Sequence, residues 1–526
     1  MRLELFARRR PAIAAILTTL VLLSLVPAAR AQAQGGTVVR TQSGDVGGLV
    51  ERGVLAYKGI PYAAPPVGDL RWLEPRPATA WQGVRKADAY GRGCIATPGI
   101  PEEYGGDPGP HSEDCLYLNV WTPKAGTDAR LPVMVWIHGG AYLFGSGAVN
   151  IYNGAPLASK GAVVVTINYR LAQLGFFAHP SLEKENPKGP ANFGLLDQIA
   201  ALKWVQQNIA VFGGDPDNVT IFGQSAGAKS VLALFASPLA RGLFHKGVAL
   251  SSYIVPDAPR AKAVEVGTKV AVALGLRGAD ATAADLRAVP AERFNEIKGQ
   301  GLSNAPVPIS GDTVLPQSIQ ATFAAGEEAP LPLILGNTSD DASVVMAFGV
   351  DPVAVLKRLG AAGFLVRALY PGVKDDTDLA WQATRDLVFT MPVRWIADRH
   401  STRAPTWRYY FDYTAVKVRS KYANGVPHGS EVPYFLNTVD IFEGTKDILT
   451  PQDREVARRA SDYVFEFART GKPAATDSPA WASHRARQDR TLVFGTTVAE
   501  QSNFMRARMN IFLGVSRILE RVLGRR

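Results

Sequence analysis

The chain predicts an α/β fold built on a large, mostly parallel central sheet with helices on both faces. Three observations carry that prediction. Short apolar runs that read as strands alternate with longer segments of helical spacing. One run, Val219 to Phe222, leads straight into Gly223-Gln224-Ser225-Ala226-Gly227, a Gly-x-Ser-x-Gly pentapeptide. No Pro/Ser-rich linker and no internal repeat divides the chain, so residues 34–503 read as one large domain.

From the N-terminus, Arg8, Arg9 and Arg10 precede the apolar run Ala12 to Val26, and small residues follow at Ala29, Ala31 and Ala33. Residues 1–33 therefore read as a secretory signal. The run is shorter than the ~20 residues that a membrane-spanning helix needs. A signal implies a secreted or periplasmic protein. Cys94 and Cys115, the two cysteines, then suggest one disulfide rather than a metal site, which would need more ligands.

The 526 residues are 47% hydrophobic and 20% charged with no low-complexity tract, the composition of a globular chain that can bury a large core. The formal net charge is +10, but the excess sits at the two ends. Arg2, Arg8, Arg9, Arg10 and Arg30 lie in the signal, and six arginines lie in 504–526. The body is close to neutral, which removes the argument for a nucleic-acid partner. The tail FMRARMNIFLGVSRILERVLGRR reads as a basic amphipathic helix. It either docks its apolar stripe on the body or lies on an anionic membrane surface, the one place where membrane contact is suggested. The pattern carries no signal for an oligomeric state.

Further strands are expected at Val133 to His138, Val163 to Asn168, Gly247 to Ser251, Leu331 to Leu335 and Arg408 to Tyr413. Leu195 to Asn208 has Leu195, Ile199, Leu202 and Val205 on one face, the spacing of a crossover helix. Excursions around 255–330 and 345–400 are expected to form helical, cap-like insertions.

The pentapeptide places Ser225 at a sharp strand-to-helix turn, where Gly223 and Gly227 remove side chains that would collide with neighbouring backbone. A serine held there is a candidate nucleophile, and it needs a base, an orienting acid and donors for an oxyanion. The donors fit a Gly-rich turn after an early strand. His138-Gly139-Gly140-Ala141 supplies one, so Gly140, Ala141 and Ala226 are the candidate oxyanion hole. Asp340 and Asp341 follow an apolar run, the place for the acid, and the residues themselves leave the choice between them open. For the base, His428 lies in the Gly/Pro-rich loop Gly425 to Gly429, whereas His245, His400 and His484 sit among charged or helical neighbours and read as solvated.

Several longer motifs accompany these residues in order: KGIPYAAPPVGDLRW, SEDCLYLNVWTP, WIHGGAY, INYRLAQLGF, NFGLLDQIAALKWVQQNIAVFGGDPDNVTIFGQSAG and GVPHGSEVPYFL. In these, over roughly Val38 to Phe494, the chain resembles the type-B carboxylesterases, cholinesterase-like α/β-hydrolases, and is similar in character to their bacterial members. The resemblance implies a serine hydrolase of carboxylic esters with Ser225 as nucleophile, His428 as base, Asp341 as acid, and an acyl-enzyme intermediate. It also implies the oxyanion hole Gly140, Ala141 and Ala226, a Cys94–Cys115 disulfide, and a structural ion pair between Glu113 and Arg71. The implied partners are a small ester and water, with no metal or organic cofactor. Amidase, lactonase and lipase activities use the same machinery.

The chain departs from the family pattern at three places. Asp341 stands where Glu is usual, one methylene shorter, so the loop or His428 must sit closer. Gln224 stands where animal enzymes commonly carry Glu. The loop from Ile95 to Asp114 has Tyr104 but no Trp, so an aromatic face for quaternary ammonium groups has no evident counterpart, which argues against choline esters.

Overall fold

The computed structural model describes residues 37–96, 109–187, 189–253, 257–297, 307–358, 360, 362–422 and 424–523. The signal segment and Tyr104 lie outside the described residues. Eleven strands form the central sheet. In chain order they are β1 (Leu49–Glu51), β2 (Val54–Pro61), β3 (Tyr117–Thr122), β4 (Leu131–Ile137), β5 (Val163–Ile167), β6 (Gly214–Gln224), β7 (Lys246–Leu250), β8 (Leu333–Thr338), β9 (Thr406–Phe411), β10 (Thr491–Phe494) and β11 (Val498–Gln501). Across the sheet the order is β11-β10-β9-β8-β7-β6-β4-β5-β3-β2-β1. From β5 to β10 every neighbouring pair is parallel. Antiparallel strands close the two edges.

Successive residues of a strand face opposite sides, and both sides here are buried. Val133, Val135 and Ile137 of β4 join one core, whereas Met134 and Trp136 join the other. The first core takes α1 (Phe193–Asn208) and α2 (Ala226–Ala236). The second takes α3 (Pro451–Thr470), through Val456, Ala460, Val464 and Phe467. Leu195, Ile199, Leu202 and Val205 of α1 are all buried, but so are Asp197 and Gln198, since the helix is covered almost all round.

Each expected strand exists, shifted by a few residues. His138 and Asn168 fall just outside β4 and β5, and β6 continues through Gly223 and Gln224, which do not read as apolar. The antiparallel strands escaped the sequence reading. β3 is interrupted by Asn119, which is buried because its carbonyl oxygen accepts from Gly59 N (2.9 Å) and its amide donates to Thr166 Oγ1 (2.9 Å). A polar residue satisfied inside a strand breaks the apolar run that marks it. Both excursions are helical, with Arg260–Ala273 and Ile319–Ala325 in the first and Asp376–Arg385 and Met391–His400 in the second.

The C-terminal helix α4 (Arg506–Leu523) docks its first turns on the body. Phe504, Met509, Phe512 and Leu513 are buried. Arg394 donates to Asn510 Oδ1 at 2.8 Å, and Arg508 pairs with Asp386 at 2.8 Å. No helix among the described residues is long and apolar enough to cross a membrane.

Candidate active site

The site sits at the C-terminal ends of the parallel strands, the usual place for ligands in such sheets. β6 ends at Gln224, α2 begins at Ala226, and Ser225 between them has φ 57° and ψ −120°. A non-glycine residue at positive φ is strained and persists only when its surroundings over-determine it. Here Ser225 N donates to Leu250 O at 2.9 Å, and Ser225 O accepts from Lys229 N at 2.9 Å. The flanking glycines are obligatory for space. A Cβ on Gly227 would lie 2.0 Å from Ile137 O, and one on Gly223 would lie 2.6 Å from that same oxygen.

Three residues beyond β8 lies Asp341, fully buried, with Oδ2 accepting from Thr338 N at 2.7 Å. Its Oδ1 is 2.7 Å from Nδ1 of His428. The two loops are tied together around this contact. Asp340 N donates to Val426 O (2.9 Å), Val426 N to Ser339 Oγ (2.8 Å), and His428 N to Ser343 Oγ (2.9 Å). Those ties draw the loops close enough for the shorter Asp side chain to reach the ring. Asp340 contributes its backbone to these ties. Burial, and then the charge of Asp341, push its carboxyl up to about 7.

The Nε2 of His428 is met by the side-chain amide of Gln224 at 3.1 Å. Phe389, in a short π-helical segment, lies 5.4 Å from the His428 ring. Three residues after His428, Glu431 is fully buried and accepts from Ser251 Oγ at 2.7 Å, and burial, then the charge of Asp341, raises it to about 7. Sequence reading found neither Glu431, Ser251 nor Phe389, because nothing in their local pattern marks them.

The other histidines differ from expectation. His400 and His484 are buried, not solvated. His400 contacts Glu328 Oε1 and Leu331 O, both at 2.8 Å, and His484 contacts Asp398 at 2.8 Å. Their charged neighbours in space serve as partners in place of water.

The turn after β4 carries Gly140, Ala141 and Tyr142 at φ 102°, 55° and 60°. Among the described residues, the N–H groups of Gly140, Ala141 and Ala226 donate to no other group of the chain. The turn packs against Ser225: a Cβ added to Gly139 would lie 3.3 Å from Ser225 Cβ. Behind it His138 is buried, and burial lowers its ring to about 4.

Cys94 and Cys115 form a disulfide, and Arg71 grips Glu113 with two bonds of 2.7 Å. Arg71 also donates to Val289 O at 2.6 Å, tying the early loops to the first excursion. Among the described residues no group of three His, Cys, Asp or Glu is placed to hold a metal ion. A cavity of about 410 Å³ near Trp72, Arg76, His179 and Arg260 is lined by none of the site residues.

The model of the carboxylesterase family matches residues 35–362 and 373–512. The chain belongs to that family. This carboxylesterase is 36% identical over 498 residues to fumonisin B1 esterase of Sphingopyxis macrogoltabida, covering 89% of this chain and 88% of that protein. It is 34% identical over 489 residues to para-nitrobenzyl esterase of Bacillus subtilis, covering 89% and 96%. Among solved structures, a thermophilic PNB esterase superposes with a TM-score of 0.78 at 31% identity, over 91% of this chain and 100% of that one. The carboxylesterase thus has the α/β-hydrolase fold of a bacterial type-B enzyme and hydrolyses carboxylic esters.

Proposed function

We propose that this esterase works through Ser225, His428 and Asp341, with a covalent acyl-enzyme. The observation that carries the reading is the 2.7 Å contact of His428 Nδ1 with buried Asp341, in a loop pair whose other ring nitrogen faces the residue next to strained Ser225. Ser225 Oγ attacks the ester carbonyl while His428 Nε2 takes its proton. The carbonyl oxygen becomes an oxyanion held by the N–H groups of Gly140, Ala141 and Ala226. His428 hands the proton to the leaving alcohol. Water then repeats the sequence on the acyl-enzyme, giving the acid and free Ser225. Asp341 stays ionised, fixing the ring tautomer and stabilising its charged form.

The Cys94–Cys115 disulfide and the N-terminal pattern support export to the periplasm or medium. The test of the mechanism is Ser225→Ala. It should abolish p-nitrophenyl ester turnover and fluorophosphonate labelling while the circular dichroism spectrum stays native. Full labelling of the variant would remove Ser225 from the role.

A further inference from the structure

The C-terminal helix α4 carries two apolar stripes, and the body covers one of them. Met509, Phe512 and Leu513, at i, i+3 and i+4, are the docked stripe. Its seat is the second excursion. Phe512 lies 6.4 Å from the Tyr370 ring, Arg508 pairs with Asp386 at 2.8 Å, and Arg394 donates to Asn510 Oδ1 at 2.8 Å. Ile511 and Val515, one turn apart, fall off that stripe at 3.6 residues per turn and are 45% and 49% exposed. In the sequence the same spacing continues through Ile518 and Val522.

Apolar residues scattered singly over a surface are ordinary. Here they recur at helical spacing beside a concentrated charge. Residues 504–526 hold six arginines against one acid, Glu520, whereas the rest of the chain after residue 33 is close to neutral. Arg506 and Arg508 are bound to the body through Asn503 and Asp386. Arg517, Arg521, Arg525 and Arg526 follow in the sequence. A basic helix with an apolar stripe on its solvent side has the make-up of one that lies in the plane of an anionic lipid surface. The excursion that holds α4 adds apolar surface of its own, with Leu387 exposed and Phe364 74% exposed. A second copy of the chain fits this face less well, because it would bring its own six arginines against these.

We propose that the enzyme docks on anionic lipid surfaces through Ile511 and Val515 of α4, with the charge of the tail drawn to the lipid phosphates. The two readings of the tail then hold together. One stripe fastens the helix to the body, and the other is left for the membrane.

The test is co-sedimentation of the chain from residue 34 onward with vesicles of phosphatidylcholine alone and of equimolar phosphatidylcholine and phosphatidylglycerol. Wild type should bind the anionic vesicles at least about tenfold more tightly than the neutral ones at low salt, and high salt should release it. Ile511→Ser/Val515→Ser should weaken binding to anionic vesicles by about tenfold or more, and Ile511→Leu/Val515→Leu should retain it. Turnover of a water-soluble p-nitrophenyl ester, unchanged in both variants, reports that the fold is intact. If the serine variant loses turnover, the lipid and salt response of wild type still decides. Equal binding to the two kinds of vesicle, binding to neither, or wild-type binding by the folded serine variant overturns the proposal. Sedimentation velocity without lipid addresses the rival occupant: a concentration-dependent dimer that the serine variant dissolves assigns the stripe to a second copy and overturns it too.

Discussion

The side-chain amide of Gln224 lies 3.1 Å from Nε2 of His428, while Nδ1 of the same ring lies 2.7 Å from Asp341. With Nδ1–H donating to the carboxylate, Nε2 keeps a lone pair, and the Gln224 N–H donates to it. In the proposed mechanism that lone pair takes the Ser225 proton, so Gln224 must then yield Nε2 to the Ser225 hydroxyl.

The contact makes Gln224→Glu informative. A carboxylate there favours the protonated ring, which cannot accept a proton, so the acid limb of the pH–kcat/KM profile should move to higher pH by about one unit. The profile is to be taken on an uncharged ester. A limb that does not move means that the side chain at 224 leaves Nε2 when substrate binds.

The two adjacent acids should separate cleanly. Asp341→Asn leaves the fold but favours the wrong ring tautomer, and kcat should fall by about 10³- to 10⁴-fold. Asp340→Asn should cost less than about tenfold, since its backbone, not its carboxylate, ties the two loops. Steady-state kinetics on one ester, both variants side by side, decide it; equal losses would reverse the assignment.

Asp340 also shapes stability against pH. Its carboxyl is raised from 3.8 to about 7, so between those values the folded state holds a proton that the unfolded chain has released. Stability therefore falls as pH rises from 4 to 7, and the full loss is present above 7. Asp340→Asn should flatten that slope and raise Tm at pH 8 by about 2–4 °C. Melting curves from pH 5 to 8 test this, and parallel curves for the two proteins would contradict it.

Gly227→Ala tests the packing of the nucleophile turn. Its Cβ would sit 2.0 Å from Ile137 O, a backbone atom that cannot swing aside. The variant should lose about 3 kcal/mol or more of stability and most of its activity. Denaturant unfolding measures the first and ester turnover the second.

By itself the sequence determined six of the parallel strands, though not Thr491–Phe494, together with the turn at Ser225 and the candidates Asp341 and His428. These are written locally: apolar runs, glycines where a Cβ cannot fit, and the Gly/Pro loop around His428 all report backbone requirements of a few residues. The edge strands were less legible, because Asn119 is satisfied only by Gly59 and Thr166 from distant segments. The tertiary structure decided which of Asp340 and Asp341 faces the ring, since neighbouring side chains diverge and only the tie between the loops at Ser339 and Val426 sets the direction. It also decided that His400 and His484 are buried partners of acids, that Gln224 touches His428, and that Lys229 reaches Tyr253 and Asp257. Those contacts join residues far apart in the chain, and the register of the sheet, which no local pattern contains, brings them together.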